Sequence, residues 1–185
     1  VVCRRQRQMC IRDRNELEKL LNMSANNYLV ILDNSLIGFI VCLREGSKYK
    51  SKNYRYFCER LDKFLYIDRI AITRNFRRQG IGKAIYNQIQ RIAFLNKIPL
   101  CCEINTTPIN MPSLLFHKKL GFKEVGQNAF DDHSVAYFIK ALLKNHNGKL
   151  IETFCYYNNY IIDETTELLK TYCENWRSIF EMGDD

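Results

Sequence analysis

Ile70-Ala71-Ile72-Thr73-Arg74-Asn75-Phe76-Arg77-Arg78-Gln79-Gly80-Ile81-Gly82-Lys83 runs from an apolar strand, through a basic turn with two glycines, into a helix. The strand begins at Phe64 and ends near Thr73. Its alternation places Asp68, Ile70 and Ile72 on one face and Arg69 and Ala71 on the other. The helix that follows carries Ile81, Ile85, Ile89, Ile92 and Ala93 on one stripe, at helical spacing. Glycines in such a turn let the backbone approach a ligand closely, and free N–H groups at a helix start attract anions. Consecutive amides there make a nest for phosphate oxygens, aided by Arg77, Arg78 and Lys83. A glycine-bearing turn with solvated charges has the same spelling.

Two common phosphate loops are excluded by inspection. A Walker A loop needs Gly where Arg77 stands and Ser or Thr where Ala84 stands. A dinucleotide fingerprint needs Gly or Ala at Ile85. Working outward, Glu16–Leu21 reads as a short helix. Tyr28–Leu32 and Leu36–Leu43 read as a hairpin around Asp33-Asn34-Ser35. Residues 44–63 read as a loop with a short helix near Tyr56–Leu61. Pro99–Asn105 is a further strand. Asn110 caps another helix, with Pro112 in its first turn and Gly121 at its end. Glu124–Gly126 and Val135–Ala141 complete the strands. Strands and helices interleave over 15–142, which gives an α/β or α+β sheet domain.

The second half of the argument is the segment Asn110-Met111-Pro112-Ser113-Leu114-Leu115-Phe116-His117-Lys118-Lys119-Leu120-Gly121-Phe122. It resembles the N-x-x-A-x-x-L-Y-x-x-L-G-F segment of the GNAT superfamily of N-acetyltransferases, in full register. Arg77-x-x-Gly80-x-Gly82 is similar to that family's coenzyme A loop, R/Q-x-x-G-x-G/A. Asn53-Tyr54-Arg55-Tyr56-Phe57, Tyr66-Ile67-Asp68-Arg69, Cys102-Glu103-Ile104-Asn105 and Phe116-His117 resemble an uncharacterised bacterial branch of predicted members. The likeness covers roughly residues 28–142. It implies a mixed, mostly antiparallel twisted sheet, splayed in a V, with helices on both faces.

The same resemblance implies direct attack of an amine on the acetyl thioester of acetyl-CoA, with no metal. Ile70, Ala71 and Ile72 would line the pantetheine arm. Arg77, Arg78, Gln79, Gly80, Ile81, Gly82 and Lys83 would hold the pyrophosphate, and Asn110 would belong to the cofactor site. A base must deprotonate the amine. Glu103 is preferred, Asp68 is its rival beside Arg69, and Tyr66 is a third candidate or a wall of the acceptor site. The family's thiolate-protonating Tyr is replaced here by His117. An imidazole can give a proton, and a histidine on a helix can equally be packing.

The 185 residues suffice for one ordinary domain, with 46% hydrophobic, 26% charged, 8 Gly and 3 Pro. That profile excludes a disordered or collagen-like chain. No window reaches the apolar length of a membrane helix. The net charge of +8 is uneven. Residues 1–14 hold five Arg against Asp13, and residues 143–185 hold four cations against eight acids. The middle is therefore strongly basic, which suits an anionic ligand. Residues 1–14 lack either apolar period, begin on Val1, and read as an unstructured arm or as stray sequence joined to the domain. No secretory signal is read there.

Residues 143–185 read as an acidic extension with a helical pattern over Asp163–Phe180. The 8 Cys include no C-x-x-C pair, and Cys101 and Cys102 fall on opposite strand faces. Reduced thiols in a cytoplasmic protein are expected, with neither zinc nor disulfides. The leading expectation is an acetyl-CoA-dependent N-acetyltransferase acting on an amine left open, without membrane partners; the resemblance allows a homodimer. The alternative is a non-catalytic acyl-CoA-binding sensor or partner module of the same fold. Nucleic acid as a partner rests on charge and on the aromatics interleaved with Lys48, Lys50, Lys52 and Arg55 alone.

Overall fold

The computed structural model describes residues 14–142 and 161–163. Helix α1 (Arg14–Met23) leads into β1 (Asn26–Leu32) and β2 (Ser35–Arg44). These two pair antiparallel across a tight turn in which Asp33 and Asn34 both take left-handed φ, 48° and 61°. Asp and Asn tolerate that conformation, and it matches the twist of a two-residue hairpin. Helix α2 (Lys52–Cys58) follows, then β3 (Leu65–Ile72), α3 (Ile81–Asn96), β4 (Leu100–Thr107), α4 (Met111–Lys119), β5 (Lys123–Ala129), β6 (Ser134–Lys140) and the short β7 (Ile161–Asp163).

The strands form one mixed sheet in the order β5-β6-β4-β3-β2-β1-β7. All pairings are antiparallel except β3 with β4, which is parallel. Two apolar clusters cover its two faces. One gathers Leu17, Leu20 and Leu21 of α1, Tyr54 and Phe57 of α2, and Tyr66, Cys101 and Tyr137 from the sheet. The other gathers Ile81, Ile85, Tyr86, Ile89 and Ala93 of α3 with Leu65, Ile67, Cys102, Ile104 and Phe138. Helices thus lie on both faces, as expected, and Cys101 and Cys102 do point to opposite sides. The stripe of α3 is the expected one, with Tyr86 and Ala84 added to the buried set.

Three features differ from the sequence reading. Helix α2 lies earlier than Tyr56–Leu61, because Ser51 caps it: its hydroxyl accepts the N–H groups of Asn53 and Tyr54. The alternation of β3 breaks, because its register against β2 passes from Val41↔Arg69 to Cys42↔Ile67 and leaves Asp68 unmatched. This bulge inverts the parity. Ile67 and Ile70 consequently pack on the same cluster, and Asp68 does not share a face with Ile70 and Ile72. Finally, β7 falls in the acidic extension and pairs with β1. Of the arm 1–14 only Arg14 is described, as the first residue of α1, and of the helical pattern over Asp163–Phe180 only Asp163, as the last residue of β7; the rest lies outside the described residues.

Candidate active site

The parallel pair β3–β4 is in register only at Leu65↔Leu100 and Tyr66↔Cys101. Beyond those residues the strands separate. From Ile67 to Ile72 the far edge of β3 pairs with β2, and from Cys102 to Thr107 the far edge of β4 pairs with β6. The two near edges therefore face each other across a wedge, with peptide groups left without a ladder partner there. Unpaired peptide edges are the natural seat for an extended amide-bearing ligand. Ile70, Ala71 and Ile72 lie on the β3 side of this wedge.

At the open end of β3, Arg74–Phe76 makes one 3-10 turn before α3. Arg78 (φ 63°) and Gly80 (φ 87°) both take left-handed backbone. Gly80 is the N-cap of α3 and supplies no side-chain acceptor. The first backbone N–H groups of the helix, those of Ile81 and Gly82, have no intrahelical partner at this position and suit an external anion. The loop residues divide by role. Arg77 turns back, its Nε donating to the Ile72 carbonyl at 2.9 Å. Gln79 donates to the Asn75 carbonyl at 2.9 Å. Arg78 and Lys83 are exposed. At Gly82 an added Cβ would lie 3.4 Å from Phe116 and 3.5 Å from Ile72, at ordinary contact distance. Asn110 caps α4, its side chain accepting Ser113 N–H at 3.2 Å, and its own N–H ties to Asn105 O at 3.0 Å.

On the α1/α2 face, at the throat of the wedge, polar side chains converge. Glu103 of β4 is half-buried. Its Oε2 accepts the Tyr66 hydroxyl at 2.6 Å and its Oε1 accepts Asn53 Nδ2 at 3.3 Å. Tyr137 donates to Asn53 Oδ1 at 3.0 Å. Burial, with the nearby charge of Asp68, raises the Glu103 carboxyl to about 7. Asp68 is raised as well, chiefly by burial, although Arg69 lies 3.1 Å away and Tyr49 hydrogen bonds to it. The hydroxyls of Tyr66 and Tyr49 are pushed up by burial and by these acids. A carboxylate near neutrality in its titration is suited to general base work. Asp68, engaged by Arg69, is suited to anchoring a cation.

His117 lies on the opposite face. It is 4% exposed, and both ring nitrogens are engaged: Nδ1 with the Ser113 carbonyl at 2.8 Å, Nε2 with the Tyr86 hydroxyl at 2.5 Å. The pairing makes Nδ1 the donor and Nε2 the acceptor. Burial lowers its pKa, so the ring is neutral at pH 7. His117 and Glu103 are not brought into one hydrogen-bonded set.

Sequence reasoning missed Asn53, Tyr137 and Tyr86. The one available signal was the antiparallel register of β4 and β6, which sets Tyr137 opposite Glu103. Of the interleaved aromatics, Tyr54 and Phe57 are buried in the core, while Tyr49 and Tyr56 are half-buried. Cys42, Cys58, Cys101 and Cys102 are free. Among the described residues no group of three His, Cys, Asp or Glu is arranged to hold a metal. No helix among them is long and apolar enough to cross a membrane.

Comparison with known proteins bears on this geometry. Residues 4–122 match the Acetyltransferase (GNAT) family. Among solved structures, NAA60 of Arabidopsis thaliana in complex with a bisubstrate analogue is 17% identical, covering 74% of this chain and 86% of that one, with a TM-score of 0.55. The same protein in complex with acetyl-CoA is 17% identical, covering 57% of this chain and 65% of that one, with a TM-score of 0.45. The protein smu.2055 of Streptococcus mutans is 14% identical, covering 71% and 78%, with a TM-score of 0.52. The split sheet, the glycine-capped helix and the match over most of the domain agree, and the chain belongs to the GNAT family of acetyltransferases.

Proposed function

We propose that the chain is an acetyl-CoA-dependent N-acetyltransferase, its domain spanning 15–142, with Glu103 as the base. The observation that carries this reading is the wedge between β3 and β4. It has an anion-accepting helix start at its open end and a carboxylate raised to about 7 at its throat. Acetyl-CoA would lie with its amide-bearing arm along Ile70–Ile72 and its pyrophosphate on the N–H groups after Gly80, helped by Arg78 and Lys83. Membership of the GNAT acetyltransferase family supports the ligand class.

An acceptor ammonium ion meets Glu103 and Asp68 from the α1/α2 face. Glu103, ionised, takes one proton from it. The freed lone pair attacks the acetyl carbonyl carbon, and a peptide N–H of the splayed edge is placed to receive the developing oxyanion. The carbon–sulfur bond then breaks, and the second proton lost by the acceptor nitrogen passes through solvent to the departing thiolate, which leaves the neutral amide and free CoA. His117, which donates Nδ1–H to the Ser113 carbonyl and accepts the Tyr86 hydroxyl at Nε2, holds no free proton for the thiolate in this arrangement. Buried free thiols at Cys42, Cys101 and Cys102 support a reducing, cytoplasmic setting.

A second reading, an acyl-CoA sensor without turnover, is favoured by the fully bonded His117 alone. Incubation with acetyl-CoA and a panel of amines separates the two. Release of free CoA with formation of an acetylated amine supports the enzyme. Saturable binding without release from any amine supports the sensor.

A further inference from the structure

We propose that Asn53 of α2, locked by Tyr137 of β6, is a positioning residue that orients Glu103 and supports its ionised form. The catalytic meaning of this rests on Glu103 being the base; the positioning itself does not.

Glu103 has two oxygens and each has one side-chain donor, Tyr66 at 2.6 Å and Asn53 at 3.3 Å, with its own backbone N–H as a further donor. A side-chain amide can present either end to a carboxylate, and only the NH2 end is attractive. The other end of Asn53 decides which. Its Oδ1 receives the Tyr137 hydroxyl at 3.0 Å, and a hydroxyl donating there fixes the amide with Nδ2 toward Glu103. Tyr137 is itself fixed. It stands opposite Glu103 in the β4–β6 register and stacks on Tyr56 with ring centroids 3.8 Å apart. Asn53 is held from its backbone too, since its N–H donates to the Ser51 hydroxyl at 3.2 Å. Three elements therefore meet on one carboxylate.

The groups around Glu103 compete. Tyr66, Asp68 and Arg69 approach from β3, Tyr49 from the loop before α2, Asn53 from α2 and Tyr137 from β6. Asp68 and burial oppose ionisation, while the bonds from Tyr66 and Asn53 favour it. Arg69 is occupied by Asp68. Removing Tyr137's hydroxyl takes the donor from Asn53 Oδ1 and loosens the hold of the amide's NH2 on the carboxylate. Removing Asn53's amide takes away one of the two side-chain donors outright.

The test uses the full chain with its glutamate carboxyl carbons labelled with carbon-13, the Glu103 signal being assigned by its loss in Glu103→Gln. Titration without acetyl-CoA reads the Glu103 midpoint independently of turnover. Asn53→Ala should raise it by about one pH unit, the scale of a hydrogen bond to a charged group. Tyr137→Phe, which keeps the stacked ring, should raise it in the same direction by less. The acid limb of kcat/KM should move by the same amounts while KM for acetyl-CoA stays constant. An unchanged midpoint in Tyr137→Phe or in a folded Asn53→Ala overturns the proposal, because a merely structural contact would not move it. Shifted midpoints in a chain that acetylates no amine support this inference and instead defeat Glu103 as a base.

Discussion

Glu103→Gln should cost activity and add stability, with a pH dependence that separates it from ordinary core changes. The Glu103 carboxyl rises from 4.5 to about 7 on folding. Its folded pKa lies above its unfolded one, so the folded state holds the extra proton between those values. Stability therefore falls as pH rises from about 4.5 to about 7, and the full penalty applies above that window. At 1.36 kcal/mol per pH unit the penalty reaches about 3 kcal/mol. Glutamine carries no charge to desolvate and can still accept the Tyr66 hydroxyl. Its NH2 would meet the NH2 of Asn53, which must turn over and lose the Tyr137 bond as drawn. The expected gain at pH 8 is then about 1–3 kcal/mol, and at pH 4.5 close to zero. With a urea slope of about 2 kcal/mol/M, the midpoint at pH 8 should move up by roughly 0.5–1.5 M. Turnover at pH 8 should fall roughly 10²-fold or more, the scale of a lost general base. Equal urea midpoints for parent and variant at pH 8, or a gain that persists undiminished at pH 4.5, would refute the assignment of a buried, charge-strained carboxylate.

Three further outcomes follow from the geometry. Gly80→Val forces a β-branched residue into left-handed backbone (φ 87°) at the amide cradle, so calorimetric titration should find acetyl-CoA binding abolished while circular dichroism shows a folded domain. Gly82→Ala adds a Cβ at ordinary contact distance, 3.4 Å from Phe116, so affinity should hold and the melting temperature should change little; a binding loss there equal to that of Gly80→Val would contradict the division of roles. His117→Phe leaves the buried Tyr86 hydroxyl without an acceptor, for a loss of about 1–3 kcal/mol in denaturant unfolding. If His117 donates a proton despite these bonds, that variant also loses roughly 10² in turnover; normal turnover makes His117 structural.

The wedge side of the site was legible because its signals are local. Gly80 and Gly82 stand at a strand–helix junction, Asn110 caps α4 as its side chain announces, and the isoleucines of α3 repeat at helical spacing. The acceptor side was legible only in part. Glu103 and Asp68 are visible as acids in apolar strands, but the bulge that turns Asp68 off the Ile70–Ile72 face depends on the register with β2. Alternation alone cannot show a break that a neighbouring strand imposes. Asn53 and Tyr137 lie far apart in sequence and meet Glu103 only because α2 folds across the splayed strands. Strand β7, three residues long, is too short to carry a period and is specified by the open edge of β1.

The most direct measurement of the central claim follows both products when the intact chain is incubated with acetyl-CoA and amines drawn from peptide N-termini, amino acids, polyamines and aminoglycosides. Free thiol should appear in step with the mass of an acetylated amine, with a rate that falls below about pH 7 as Glu103 takes up its proton. Acetyl-CoA that binds yet yields neither thiol nor acetylated amine with any acceptor would contradict the enzyme and leave a binding module in its place.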